Sequence, residues 1–173
     1  MTSKHLLPIW AAVLALAACT SAPPLAVPAA LQPTAGEKLV LTLPARGVQI
    51  YECRATAQGS YEWAFVAPEA TLFDASGNRA GTHGAGPHWL ANDGSRIVGT
   101  LKQRADAPAA GAVPWLLLAA RNDGPAGTFS SVTSIQRVRT AGGVAPASGC
   151  AAASVGQKAR VDYTADYRFF APA

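Results

Sequence analysis

The chain has 173 residues, with 14 Lys and Arg against 10 Asp and Glu, and a formal net charge of +4. That length fits a single domain once a leader is set aside. The basic residues are scattered and never form a run. Nucleic-acid binding domains carry a clustered basic stripe, so no nucleic-acid partner is expected. Half the residues are hydrophobic and only 14% are charged.

Taken in order, the chain begins with Lys4 and His5, an apolar run over residues 6–16, and small residues Ala17 and Ala18. A basic head, a short apolar run and small residues at the cut define a secretory signal. The run is too short to span a bilayer and contains Pro8. The next residue is Cys19, and Leu16-Ala17-Ala18-Cys19 resembles the lipobox of bacterial lipoproteins. That resemblance implies cleavage after residue 18, diacylation of Cys19 and attachment to the cell envelope. Thr20, in place of an Asp, implies the outer membrane, facing the periplasm, as the destination in a Gram-negative cell. The bare alternative is secretion.

With Cys19 assigned to lipid, Cys53 and Cys150 remain. An even pair in an oxidising compartment predicts one disulfide. Residues 20–36 hold four prolines and no charge and read as a tether, rising about 3.1 Å per residue where extended. The expected organisation is therefore signal 1–18, lipidated Cys19 with tether to residue 36, and one domain over 37–173.

Beyond Glu37 the pattern is period-two alternation broken by Gly, Pro, Asn and Asp, the signature of short strands. Leu39, Leu41 and Leu43 share a face, and Pro44 is expected to end that strand before another at residues 48–53. Tyr61, Trp63 and Phe65 alternate with Glu62, Ala64 and Val66; Pro68 is expected to break this run before residues 70–74. Ser76-Gly77-Asn78 and Asn92-Asp93-Gly94 supply turns. Strands follow at 95–104, 113–120, 129–140 and 159–169. In the last, Tyr163, Ala165, Tyr167 and Phe169 oppose Asp162, Thr164, Asp166 and Arg168, a half-buried antiparallel strand. About nine or ten short strands predict an all-β antiparallel sandwich or partly closed barrel.

The order of several phrases resembles the domain of unknown function 3455 family of secreted bacterial and fungal proteins. They are Val48-Gln49-Ile50-Tyr51-Glu52-Cys53, Trp63-Ala64-Phe65, Gly86-Pro87 with Trp89 two residues on, Asp93-Gly94-Ser95, Ile135-Gln136-Arg137-Val138 and Tyr163-Thr164-Ala165-Asp166-Tyr167. The resemblance covers about residues 27–170 and implies no activity. Some relatives carry a malate-dehydrogenase label, which these residues do not support. Gly81-Thr82-His83-Gly84-Ala85-Gly86 lacks the spacing of a dinucleotide fingerprint and no helix follows it.

Residues 81–95 are the candidate site, because they gather His83, His88, Trp89 and Asp93 among glycines. The ligand-contact candidates are His83, Trp89 and Asp93. His83, His88 and Asp93 are a weak metal set, since no Cys-x-x-Cys occurs and the family pattern usually has Thr at position 88. Ser95 lies near His83 and Asp93 in sequence, but no Gly-x-Ser-x-Gly elbow is present. Glu52, Glu62 and Glu69 are expected on surface faces. Tyr51, Tyr61, Trp63, Trp89 and Trp115 read as core more readily than as a pocket. Gln136-Arg137 interrupts an apolar strand and reads as a solvated face, with an anion contact as the alternative. The favoured function is a non-enzymatic envelope module binding a small ligand or envelope partner near the 81–95 loop, with no cofactor. The alternative is a metal-binding protein or hydrolase-like enzyme using His83 and Asp93.

Overall fold

The computed structural model describes residues 25–173, so the signal segment and Cys19 lie outside the described residues. Eight strands form one antiparallel sheet: β1 (Glu37–Ala55), β2 (Tyr61–Phe73), β3 (Arg79–Gly84), β4 (His88–Ala91), β5 (Arg96–Ala105), β6 (Trp115–Asn122), β7 (Ser134–Gly142) and β8 (Lys158–Pro172). Each pairs with the next in sequence, and β8 returns to pair with β1 from Glu37↔Pro172 to Glu52↔Lys158. The all-β expectation holds, and the sheet closes into an up-and-down ring. Closure gives every strand two partners, although residues 61–69 of β2 pair with β1 alone because the β2–β3 ladder starts at Ala70.

There are eight strands rather than nine or ten because neither proline ends its strand. Pro44 pairs only with Asp166 on β8, since the β1–β2 ladder starts at Ala45. Pro68 pairs only with Gln49 on β1, since the β2–β3 ladder starts at Ala70. Each proline sits where its strand has a neighbour on one side, so its missing N–H leaves no bond unmade there. Residues expected as four short strands thus merge into the long β1 and β2. Register shifts at Ile50/Tyr51, Leu101/Gln103 and Val138/Ala141 bend the sheet so that it closes. The last includes Arg139, whose φ is 49°. The four-residue β4 makes the ring irregular.

Alternation decides which side chains enter the ring. Leu43, Leu72, Trp89, Ile97, Ile135, Tyr167 and Phe169 point inward and are buried together. On β8 the opposite face carries Arg160, Asp162, Thr164, Asp166 and Arg168, all exposed or half-buried. A membrane-spanning barrel needs an apolar outer band, and the outer face of β8 is polar instead. Phe129, placed in the β6–β7 loop rather than in a strand, closes one end by packing 4.8 Å from the Phe169 ring.

The continuous apolar run of β6 is explained by burial on both faces. Leu116 and Leu118 face the interior, whereas Trp115 and Leu117 face outward beneath Leu25, Val27 and Leu31. Packing thus starts within the stretch read as tether. The short 3₁₀ turn Ala29–Leu31 lies on the outer face, with Leu31 fully buried. Gln136 is fully buried too, donating from Nε2 to the Leu31 carbonyl at 2.6 Å and accepting from Arg168 at 3.1 Å. The reading of Gln136 as a solvated residue is corrected accordingly: the N-terminal segment covers it.

Cys53 and Cys150 form the expected disulfide, tying β1 to the β7–β8 loop across 97 positions. Closing a loop of that length removes roughly 4–5 kcal/mol of unfolded-chain entropy in the chain-entropy account. Leu31→Ala should destabilise the domain by about 2–4 kcal/mol, because a fully buried leucine is truncated where the segment has little else to hold it. Urea denaturation measures this, and an unchanged midpoint would show that residues 25–31 are not part of the cooperative fold.

Candidate functional site

In an up-and-down ring, loops leave the two ends alternately. The β1–β2, β3–β4, β5–β6 and β7–β8 loops gather at one end, and the β2–β3, β4–β5 and β6–β7 loops at the other. Phe129 blocks the second end. The first end stays partly open and holds a cavity of about 250 Å³. Phe65, Val66 and Pro87 form its rim, and Pro68, Leu116, Leu118, Trp89, Tyr167, His83 and Arg137 its wall. Eight-stranded barrels are just wide enough to be filled by side chains or to hold one small ligand.

His83 and Trp89 meet as cross-strand partners on β3 and β4. Their rings stack with centroids 4.3 Å apart, and Tyr167 lies 4.8 Å from His83. Gly99 makes room for the indole: a Cβ there would come within 2.8 Å of the Trp89 ring and 3.1 Å of Leu118. His83 donates from Nδ1 to the His88 carbonyl at 2.8 Å, which fixes the neutral tautomer and leaves Nε2 as an acceptor. Burial pushes the His83 imidazole down to about 3; the bond to His88 opposes this and the nearby Arg137 charge adds to it. The indole Nε1 of Trp89 is buried without a hydrogen-bond partner.

Arg137 enters the same space. Ile135 faces inward on β7, and a period of two places Arg137 on the same face. Its Nε and Nη2 donate to the Pro114 carbonyl at 3.1 and 2.8 Å. Half-buried against the cavity, Arg137 is not the solvated strand residue expected from sequence. Burial raises the hydroxyl pKa values of Tyr163 and Tyr167, whose oxygens lie 3.3 Å apart. No Asp, Glu, Ser or Cys lines the cavity.

The remaining candidates fall elsewhere. Asp93 occupies the β4–β5 turn, at the opposite end of β4 from His88, and its carboxylate is fully engaged. Oδ1 accepts from the Ser95 hydroxyl at 2.7 Å, and Oδ2 from the Thr128 backbone and hydroxyl, each at 2.7 Å. These bonds, led by that of Ser95, hold the Asp93 carboxyl well below the usual range. Ser95 Oγ in turn accepts from the Phe129 backbone N–H at 3.2 Å. Asp93 and Ser95 therefore seat the loop that closes the far end of the ring.

His88 donates from Nδ1 to the Ala85 carbonyl at 2.6 Å, and its ring lies against Gly84. Among the described residues, no three of His, Cys, Asp or Glu come together as metal ligands. Glu69 pairs with Arg160 at 2.7 Å and Glu52 with Arg54 at 3.1 Å, while Glu62 is exposed. Trp63 donates to the Ser148 carbonyl at 2.8 Å, Tyr61 is exposed, and Trp115 lies under the N-terminal segment. Tyr51 donates to the Gly143 carbonyl at 2.6 Å and packs edge-on against Phe65. Sequence proximity thus identified the His83–Trp89 pair. It missed Arg137, Tyr167 and Leu118, which come from strands distant in the chain.

Fold and cavity together define a small, disulfide-bonded, up-and-down β-ring with a pocket at its open end. The chain belongs to the family described as "Protein of unknown function (DUF3455)", which it matches over residues 33–171. No curated protein and no solved structure matches it.

The buried neutral His83 carries a pH signature. Its pKa is far below the unfolded value of about 6.5, so as acid is added the unfolded chain takes up a proton that the native site refuses. This contribution to stability is complete above about pH 6.5 and declines toward pH 3, by at most about 1.4 kcal/mol per pH unit. His83→Gln removes the titration, so its urea midpoint should vary less than the wild-type midpoint over that range. Equal slopes would assign the acid sensitivity to other groups.

Proposed function

We propose that this protein is a lipid-anchored envelope module that binds a small apolar molecule in the open end of its ring. The cavity of about 250 Å³ carries the reading. Its volume equals roughly eight waters at about 30 Å³ each. Its lining is aromatic and aliphatic with a few convergent polar groups, the usual composition of a small-molecule site. Binding is favoured over chemistry because the lining offers no serine, cysteine or carboxylate, and His83 and Asp93 sit toward opposite ends of the ring. The leader and Leu16-Ala17-Ala18-Cys19 support anchoring through Cys19. One acyl chain binds a membrane only marginally, so the two or three chains of a lipoprotein would give lasting attachment.

A neutral fluorescent probe such as 1-aminoanthracene should brighten on binding. Val66 lies on the rim and is 38% exposed, so Val66→Trp should narrow the entrance without disturbing the core. Binding should weaken at least about tenfold, the cost of roughly 1.4 kcal/mol. Equal binding by both proteins would place the probe elsewhere. Separately, intact mass of protein from its own membrane fraction should show acyl groups on Cys19, and Cys19→Ser should leave the membrane. An unlipidated chain beginning downstream of Cys19 would remove the anchor.

A further inference from the structure

We infer that the ligand of this cavity is a small monoanionic carboxylate with an apolar body, and that Arg137 is the residue that recognises its head. The inference rests on the cavity being a binding site and adds the charge and shape of what enters it.

Three observations carry it. Arg137 is the cation on the cavity wall, and among the described residues no carboxylate lies within ion-pair distance of it. The titratable groups near it are Tyr51, His83, Tyr163 and Tyr167, none of which supplies a negative charge at neutral pH. Arg137 is half-buried, and a guanidinium partly withdrawn from water gains from an opposite charge beside it. The Pro114 carbonyl takes Nε and Nη2 and the Tyr167 hydroxyl is a further neighbour of the guanidinium, but neither brings a negative charge.

The polar atoms around the cavity are also unbalanced toward donors. Trp89 Nε1, on the cavity wall, is buried and unpartnered, and the Arg137 guanidinium offers donors only. A buried donor left without a partner costs about 1–3 kcal/mol, and an acceptor-rich group satisfies it. A carboxylate offers only acceptors and bonds well to a guanidinium.

The charge count sets the head group. One guanidinium balances one negative charge, and the lining provides no second cation for a phosphate dianion. The walls set the body. Trp89, Leu116, Leu118, Tyr167 and Phe65 present apolar surface around a space too small for a long acyl chain. A short fatty or arylalkanoic acid fits both constraints.

The test compares octanoate with 1-octanol, which share an alkyl body and differ in head charge, by calorimetric titration of the purified protein at pH 7. Octanoate should bind about 10- to 100-fold more tightly, the range for a hydrogen bond to a charged group. Arg137→Gln should abolish that preference while retaining octanol binding, and Arg137→Lys should restore part of it. The wild-type comparison needs no variant, so it decides the matter even if Arg137→Gln fails to fold. Equal affinity for both probes in the wild type would overturn the anionic ligand and leave the cavity reading standing. If neither probe binds, the cavity reading fails and this inference fails with it.

Discussion

The pairing of β8 with β1 is the constraint on which the rest of the structure depends. Once these two long strands join, every strand has two neighbours, and alternating residues are divided into an inside and an outside. Trp89, Tyr167 and Phe169 then face one another across a space that no single strand defines. An open sheet with the same sequence would leave this apolar face to be covered by another layer. The ring makes its own core, and where the side chains do not fill it, at the open end, a cavity remains.

That asymmetry has identifiable causes. At the far end Asp93 and Ser95 organise the β6–β7 loop so that Phe129 drops into the interior. At the open end the corresponding loops are held back from the opening. The disulfide fastens the β7–β8 loop to β1, Tyr51 bonds Gly143, and Arg137 grips the Pro114 carbonyl of the β5–β6 loop. The same arginine that steadies the rim thus carries the uncompensated charge in the site.

The N-terminal segment contributes differently. Leu25, Val27 and Leu31 cover the outer face of β6 and β7, which would otherwise expose Trp115 and Leu117. The chain leading toward the proposed membrane anchor is therefore fastened to the side of the ring. Proline-rich composition had concealed this, because isolated apolar residues without periodicity give no sign of docking onto a surface.

Sequence alone determined the all-β class, the strand character of most segments, the pairing of Cys53 with Cys150 and the proximity of His83 to Trp89. Each of these depends on local alternation, on turn residues or on counting a small number of cysteines. Only the tertiary structure decided that Pro44 and Pro68 are tolerated inside strands, since that depends on which neighbours are absent beside them. It also separated Asp93 from His83, because a strand carries its two ends apart however close they lie in the chain. And it turned Arg137 from an expected surface residue into part of a cavity wall. The parity of Ile135 already placed both on one face, but which face became the inside was settled by ring closure, a contact between the two ends of the domain.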